Sequence, residues 1–379
     1  MDLLFDLLVV LLPTQIALHF WPDWALVHGI RVDYLAPAIY LTDIIVLSLL
    51  LKFKKFPKYL LYLLPFSVIN ILISSIWQVS LFRWIKVFEF ILLAYLVFKD
   101  KEIIFKRIQK PLLVAVAYSL LIGFLQILKG GTLGGIFYFL GERSFNTFTP
   151  GIALMNVFGQ SLLRPYATFP HPNVFAGFML VSFFLFALKK PKGIIEKAGV
   201  ALCLVGVIIS FSLGAYLAFA VLVLVIIFFK HLKKVKKAMH ILFYFAIYTS
   251  LVLPIAANFL LGGSLPENIE NRLILSTTAG EAFSRSPLVG AGLGTVVGKS
   301  SLLQPTHNIF LLLLSEVGVV GVILFCYLLF RALKNSKSQN QFLLVPCLIA
   351  ILLTGMFDHY WLTLQQGELV FAIVIGGLF

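Results

Sequence analysis

The chain is 379 residues long, 60% hydrophobic and 12% charged, with a mean hydropathy of +1.01. Soluble domains carry about twice that charged fraction, so the composition excludes a water-soluble enzyme or binding module and indicates an integral membrane protein. The net charge of +14 does not mark a nucleic-acid surface, because the basic residues are spread over several short clusters and make no continuous patch.

The apolar runs are long and unalternating, which suits membrane helices and not the ten-residue alternating strands of an outer-membrane barrel. The expected fold is therefore all-α: one polytopic transmembrane domain over 1–379. The N-terminus has Asp2 and Asp6 where a signal peptide needs basic residues, and is read as a retained first span. In chain order about 12 spans are predicted, near 3–20, 34–51, 59–76, 79–98, 111–128, 174–188, 198–212, 214–229, 238–258, 307–330, 342–357 and 367–379.

Basic clusters recur after every second run: Lys52–Lys58, Lys99–Lys110, Lys189–Lys197, Lys230–Lys237 and Arg331–Lys337. By the positive-inside rule they mark the cytoplasmic face, with both termini on that side. The opposite, outer face then receives two substantial segments, 129–173 and 259–306, and function is expected there. Cys203, Cys326 and Cys347 lie within apolar runs and carry no disulfide or metal signal. No 20- to 50-residue repeat, inverted half or appended soluble domain is evident.

The fourth span contains Arg83, Lys86 and Glu89 about one turn apart, so they must face the bundle interior or a wet cavity. Lys86 and Glu89 suit a simple pair. Arg83, nearest the outer surface, is a candidate for an anionic headgroup.

The first polar island runs from Arg164 to Asn173. Pro165, Pro170 and Pro172 stiffen it, holding Arg164, His171 and Asn173 in place as candidates to bind substrate. The alternative is a re-entrant loop whose prolines end a helix and whose arginine meets lipid phosphate. In the second segment Glu281 and Arg285 are four apart, a spacing that would neutralise them on a helix and makes Arg285 a weaker ligand candidate than Arg272. Arg272 has Glu267 and Glu270 nearby but Ser276 at the favoured i+4 position; the alternative is a local salt bridge. The Gly290-x-Gly-x-Gly294 run follows no strand of a βαβ unit, so it reads as a flexible turn that lets backbone approach a ligand or a helix end.

His307 opens a long span and is followed by Asn308. Histidine is the side chain whose charge changes near neutrality, which suits a general base; a helix-capping histidine is the alternative. Glu316, between two and three turns deeper, reads as a structural partner. A last outer patch, Asp358 to Gln366, adds His359 and aromatics fitted to sugar stacking or, preferably, to an interfacial belt. A metal site from His171, His307, Asp358 and His359 is disfavoured, since no paired ligand spacing is present.

Arg164 with Thr168-Phe-Pro-His-Pro-Asn173, Arg272 ahead of Pro287–Gly294, then His307-Asn308 with Gly318 and Gly321: this order resembles the O-antigen ligase and O-antigen polymerase superfamily over about 160–330. The resemblance implies a GT-C-like helical fold and an inverting, metal-independent glycosyltransferase that needs no cofactor. It would act at the outer face of the bacterial cytoplasmic membrane. The implied partners are an undecaprenyl-diphosphate-linked glycan donor, a saccharide acceptor such as a lipid A-core-like glycan, and membrane lipid. By position, Arg164 and Arg272 would grip the diphosphate and His307 would activate the acceptor hydroxyl. Family members often carry an arginine where this chain has Ser212-Leu213-Gly214. Ligase, polymerase and protein O-oligosaccharyltransferase share these motifs and stay open as alternatives. A flippase or transporter for a lipid-linked oligosaccharide, which Arg83 and Lys86 would favour, is the reading from another class.

Overall fold

The computed structural model describes residues 2–51, 57, 60–187, 193–228, 232–260, 267–335 and 344–379. Within the basic clusters, Lys52, Lys54, Lys55, Lys58, Lys189, Lys190, Lys192, Lys230 and Lys337 lie outside the described residues. Helix dominates, as expected of an all-α chain, and the described strands form three small antiparallel pairs.

The first 50 residues depart from the predicted pair of spans. α1 (Asp2–Leu11) stops before Pro13, which cannot donate to a helix. β1 (Ala17–His19) then pairs with β4 (Ala38–Tyr40), and β2 (Leu26–Val27) pairs with β3 (Ile30–Arg31). α2 (Leu41–Leu50) begins where Asp43 accepts the Tyr40 backbone N–H at 2.9 Å. The predicted spans 3–20 and 34–51 are thus two ten-residue helices, each about 15 Å long, separated by extended chain.

α3 (Leu60–Leu72) leads into α4 (Trp77–Arg107), which continues through Lys99 and Lys101 where a basic loop was expected, bending at Asp100. α5 (Gln109–Lys129) follows, then a short α6 (Ile136–Phe139) and the hairpin β5 (Leu154–Val157) and β6 (Gln160–Leu163). α7 (Pro172–Ala187), α8 (Ile194–Ile209), α9 (Leu213–Phe228) and α10 (Leu232–Leu260) come next. The segment 259–306 contains α11 (Glu267–Arg285), a 19-residue helix that hydropathy alone did not flag. α12 (Ile309–Asn335), α13 (Val345–Gly355), α14 (Tyr360–Thr363) and α15 (Gln365–Leu378) complete the chain.

α13 and α15 are buried along their whole length and form the centre of the bundle. α15 packs against α4, where Gly376 lets the helices close to the Ala94 carbonyl, and α13 packs against α7 and α9. The surrounding helices expose apolar faces, including Leu121 and Phe124 of α5 and Ile323 and Tyr327 of α12, as a lipid-facing ring requires. α5 and α12 are long and apolar enough to cross a membrane; seven shorter apolar stretches accompany them among the described residues.

A break in α12 sets the position of its first half. Gly318, at φ 63°, interrupts the helix, and the 287–292 segment docks into the gap. Ala291 and Gly292 donate to the Ser315 and Glu316 carbonyls at 2.9 and 3.1 Å, while Val319 and Val320 donate back to Pro287 and Leu288. Asn70 of α3 ties both sides, donating to the Val289 and Glu316 carbonyls. The Gly290–Gly294 run, expected as a flexible turn, is a pinned one that approaches a helix break.

Candidate active site

His307 ends the segment before α12. Asn308 caps that helix: its Oδ1 accepts the Phe310 and Leu311 N–H groups and its Nδ2 donates to the Ser250 carbonyl. This cap commits the Asn308 side chain to structure and fixes the backbone that presents His307. The His307 ring stands 5.1 Å from that of His359, and its Nδ1 lies 3.4 Å from Asp358 Oδ1. Nδ1 is buried and misaligned for a hydrogen bond, so a small ring rotation would complete the carboxylate–imidazole contact.

Asp358 is the hub. It sits in the turn after α13, buried, where an unpaired charge would be costly. Its Oδ1 accepts the His359 backbone N–H at 2.8 Å, and its Oδ2 accepts Asn173 Nδ2 at 2.9 Å. Burial pushes its pKa up, but the adjacent His307 and the nearby His359 and His171 outweigh that and hold the carboxyl well below the usual range.

Asn173 carries the connection to the first polar island. Its Oδ1 accepts from Arg164 Nη2 at 2.8 Å, and Arg164 Nε donates to the Ser210 carbonyl at 3.0 Å. Burial lowers the Arg164 pKa from its ordinary value, though a guanidinium stays cationic at physiological pH. This loop is held by hydrogen bonds to groups outside it: Tyr166 and Ala167 donate to Gln126 Oε1, and Thr168 Oγ1 donates to the Pro13 carbonyl. His171 Nδ1 accepts the Asn173 N–H at 3.1 Å, so this nitrogen is unprotonated. Burial lowers the His171 pKa to about 4, with Asp358 opposing and Arg164 assisting.

Arg272, on α11, is exposed and donates to the Phe357 carbonyl at 2.8 Å, one residue before Asp358. The two arginines therefore approach Asp358 from different elements, Arg164 through Asn173 and Arg272 through the backbone of the same turn. His359, by contrast, is buried, with its Nδ1 2.7 Å from Thr363 Oγ1 and its ring edge-on to Tyr34 at 5.4 Å. Burial lowers its pKa to about 3.

Other residues named from the sequence lie elsewhere. Arg83 donates to Glu368 at 2.8 Å and to the Leu362 carbonyl, and lines a small pocket with Tyr34, Glu316 and Thr363. Lys86 is held by both Asp43 and Glu89, at 2.6 and 2.8 Å, inside the bundle. Arg285 is exposed at the end of α11, beside Lys299, whose pKa falls through burial and that neighbouring charge.

The sequence offered His359 as a substrate-binding candidate, and the 358–366 patch as a whole preferably as an interfacial belt; the fold buries Asp358 and His359 beside His307. The available signal was an Asp-His pair closing an apolar run in a chain with only 16 acidic residues. His307, Asp358 and His359 offer ligand atoms within 4.8 Å of one another, so they are where a metal ion would be held among the described residues. The same three groups equally make an oriented base. The cluster as a whole can accept a proton at His307 and offer cationic and polar donors to an anion beside it.

Residues 198–326 match the family model of O-antigen ligase, which supports the O-antigen ligase and O-antigen polymerase superfamily. The matched stretch contains Arg272, Arg285, His307 and Asn308, while Arg164, His171, Asn173 and Asp358 lie outside it. A search of curated proteins finds no match.

Proposed function

From a chain whose residues 198–326 carry the O-antigen ligase signature, we propose a membrane glycosyltransferase that moves a glycan from undecaprenyl diphosphate to a saccharide hydroxyl at the outer face of the bacterial cytoplasmic membrane. The protein is read as polytopic, with about 12 spans. The observation that carries the reading is His307 set against buried Asp358, with Arg164 and Arg272 anchored to the same turn.

Asp358 faces His307 Nδ1 and favours the tautomer with its proton there, leaving Nε2 free to take the proton of the acceptor hydroxyl. The hydroxyl oxygen then attacks the anomeric carbon as the bond from that carbon to the phosphate oxygen breaks, and the electron pair leaves with the diphosphate. Attack opposite the leaving group inverts the anomeric centre. Arg164 and Arg272 bear on the charge that develops on the diphosphate, where planar, always-charged donors stabilise most. A lipid diphosphate is already a good leaving group, so cations matter more than a general acid.

The test is glycan transfer in membranes, with an undecaprenyl-diphosphate-linked oligosaccharide and products read by mass. His307→Ala should abolish transfer while the protein stays folded, and product length separates ligase from polymerase. Wild-type protein that transfers to none of several acceptors would sink the reading and favour lipid-linked oligosaccharide translocation.

A further inference from the structure

The chain between α5 and the first polar island displays large apolar side chains that nothing in the protein covers. Phe158 is 103% exposed, Phe148 91%, Ile136 73% and Phe139 72%. Phe158 occupies the tip of the β5–β6 hairpin at φ 51°, next to Gly159 at φ 84°. Such left-handed tips favour Asn, Asp or Gly, so a bulky aromatic there bears both strain and exposure.

Depth can be read from α5. This 21-residue helix is long enough to cross the hydrocarbon core and ends at Lys129, whose ammonium donates to the Thr132 and Leu133 carbonyls. Its exposed apolar face continues to its last turn, where Leu128 is 68% exposed. α6 begins seven residues later, after the uncharged stretch Gly130-Gly-Thr-Leu-Gly-Gly135, and exposes Ile136, Tyr138 and Phe139.

We propose that α6 and the β5–β6 hairpin lie on the bilayer on the side where the site opens, with Phe148 and Phe158 inserted among the acyl chains of that leaflet. The occupant is the lipid bilayer. The consequence for the site is mechanical: β6 runs straight into Arg164, whose backbone N–H donates to the Ala153 carbonyl at 3.1 Å at the base of the hairpin. Aromatics anchored in the acyl region would hold Arg164 at the depth of a membrane-borne diphosphate.

The test needs no turnover, so it stands apart from the transfer reading. Half-buried Cys326 is replaced by Ala, leaving the two buried cysteines, and a nitroxide is attached at Phe158→Cys or, separately, at Phe148→Cys. In phosphatidylglycerol and phosphatidylethanolamine vesicles, both labels should be accessible to oxygen and shielded from a water-soluble nickel chelate, placing them about 5–10 Å below the phosphates. A label at exposed Glu281→Cys supplies the aqueous reference. Nickel accessibility at 148 and 158 equal to that reference would overturn the proposal, as would labels shielded from both reagents, which would mean that protein covers the tip.

Discussion

Asn173 donates its side-chain amide to Asp358 across 185 positions of sequence, at 2.9 Å, while its carbonyl oxygen accepts from Arg164 at 2.8 Å. A residue with one donor end and one acceptor end is the fitting bridge between a carboxylate and a guanidinium. Asn173→Asp replaces the donor with a second carboxylate facing Asp358. Transfer at pH 7 should fall about 100-fold and partly recover as pH drops, because one proton shared by the pair restores a donor. Wild-type kcat/KM at pH 7 in this variant would remove the bridge from the mechanism.

Asp358→Asn keeps the shape of the turn but not the charge that orients His307. The expected loss in kcat is about 10²- to 10⁴-fold, the range seen when a base loses its orienting carboxylate, with KM for the donor little changed. A variant retaining more than half of wild-type kcat would show that His307 works without Asp358.

His171 links the site to stability. Its pKa is lowered to about 4 in the folded protein, mainly by burial, against about 6.5 for an unperturbed histidine. Between those values the unfolded chain binds the proton and the folded chain does not, so stability rises with pH through the window from about 4 to 6.5. Melting temperature in detergent should therefore climb over that interval, and His171→Gln should flatten the climb. An equal slope in the variant would place the effect elsewhere.

Metal removal separates the two uses of the His307, Asp358 and His359 cluster. An oriented base needs no ion, so prolonged chelator treatment should leave the transfer rate unchanged. Loss of activity restored by one divalent cation, with a stoichiometric ion found by elemental analysis, would reassign the three residues as ligands.

Gly290 stands at φ 74°, and a Cβ there would fall 2.2 Å from the Glu316 carbonyl carbon. Gly290→Ala should destabilise the protein by about 3 kcal/mol and reduce transfer by displacing the first half of α12, whose start follows His307 by two residues. Chemical denaturation midpoints check the first effect. An unaltered midpoint would mean that the 287–292 segment is not what positions that helix.

Hydropathy and local chemistry made much of this protein legible in its sequence: the helical class and the short polar stretches containing Arg164, Arg272 and His307. Those properties are local, since an apolar run or a proline acts on its own neighbours. A link was expected near 21–33, but the extended chain runs well beyond it into both predicted spans, because hydropathy does not distinguish a membrane helix from a short apolar strand; α11 escaped because its sequence is too polar for that scale. Asp358 was misjudged for a different reason. An Asp-His pair at the end of an apolar run looks the same whether it faces water or a site, and only the packing of α13 against α7, which brings Asn173 to Asp358, decides between them. A charge is valued by what surrounds it, and contacts across 185 positions are set by the tertiary fold.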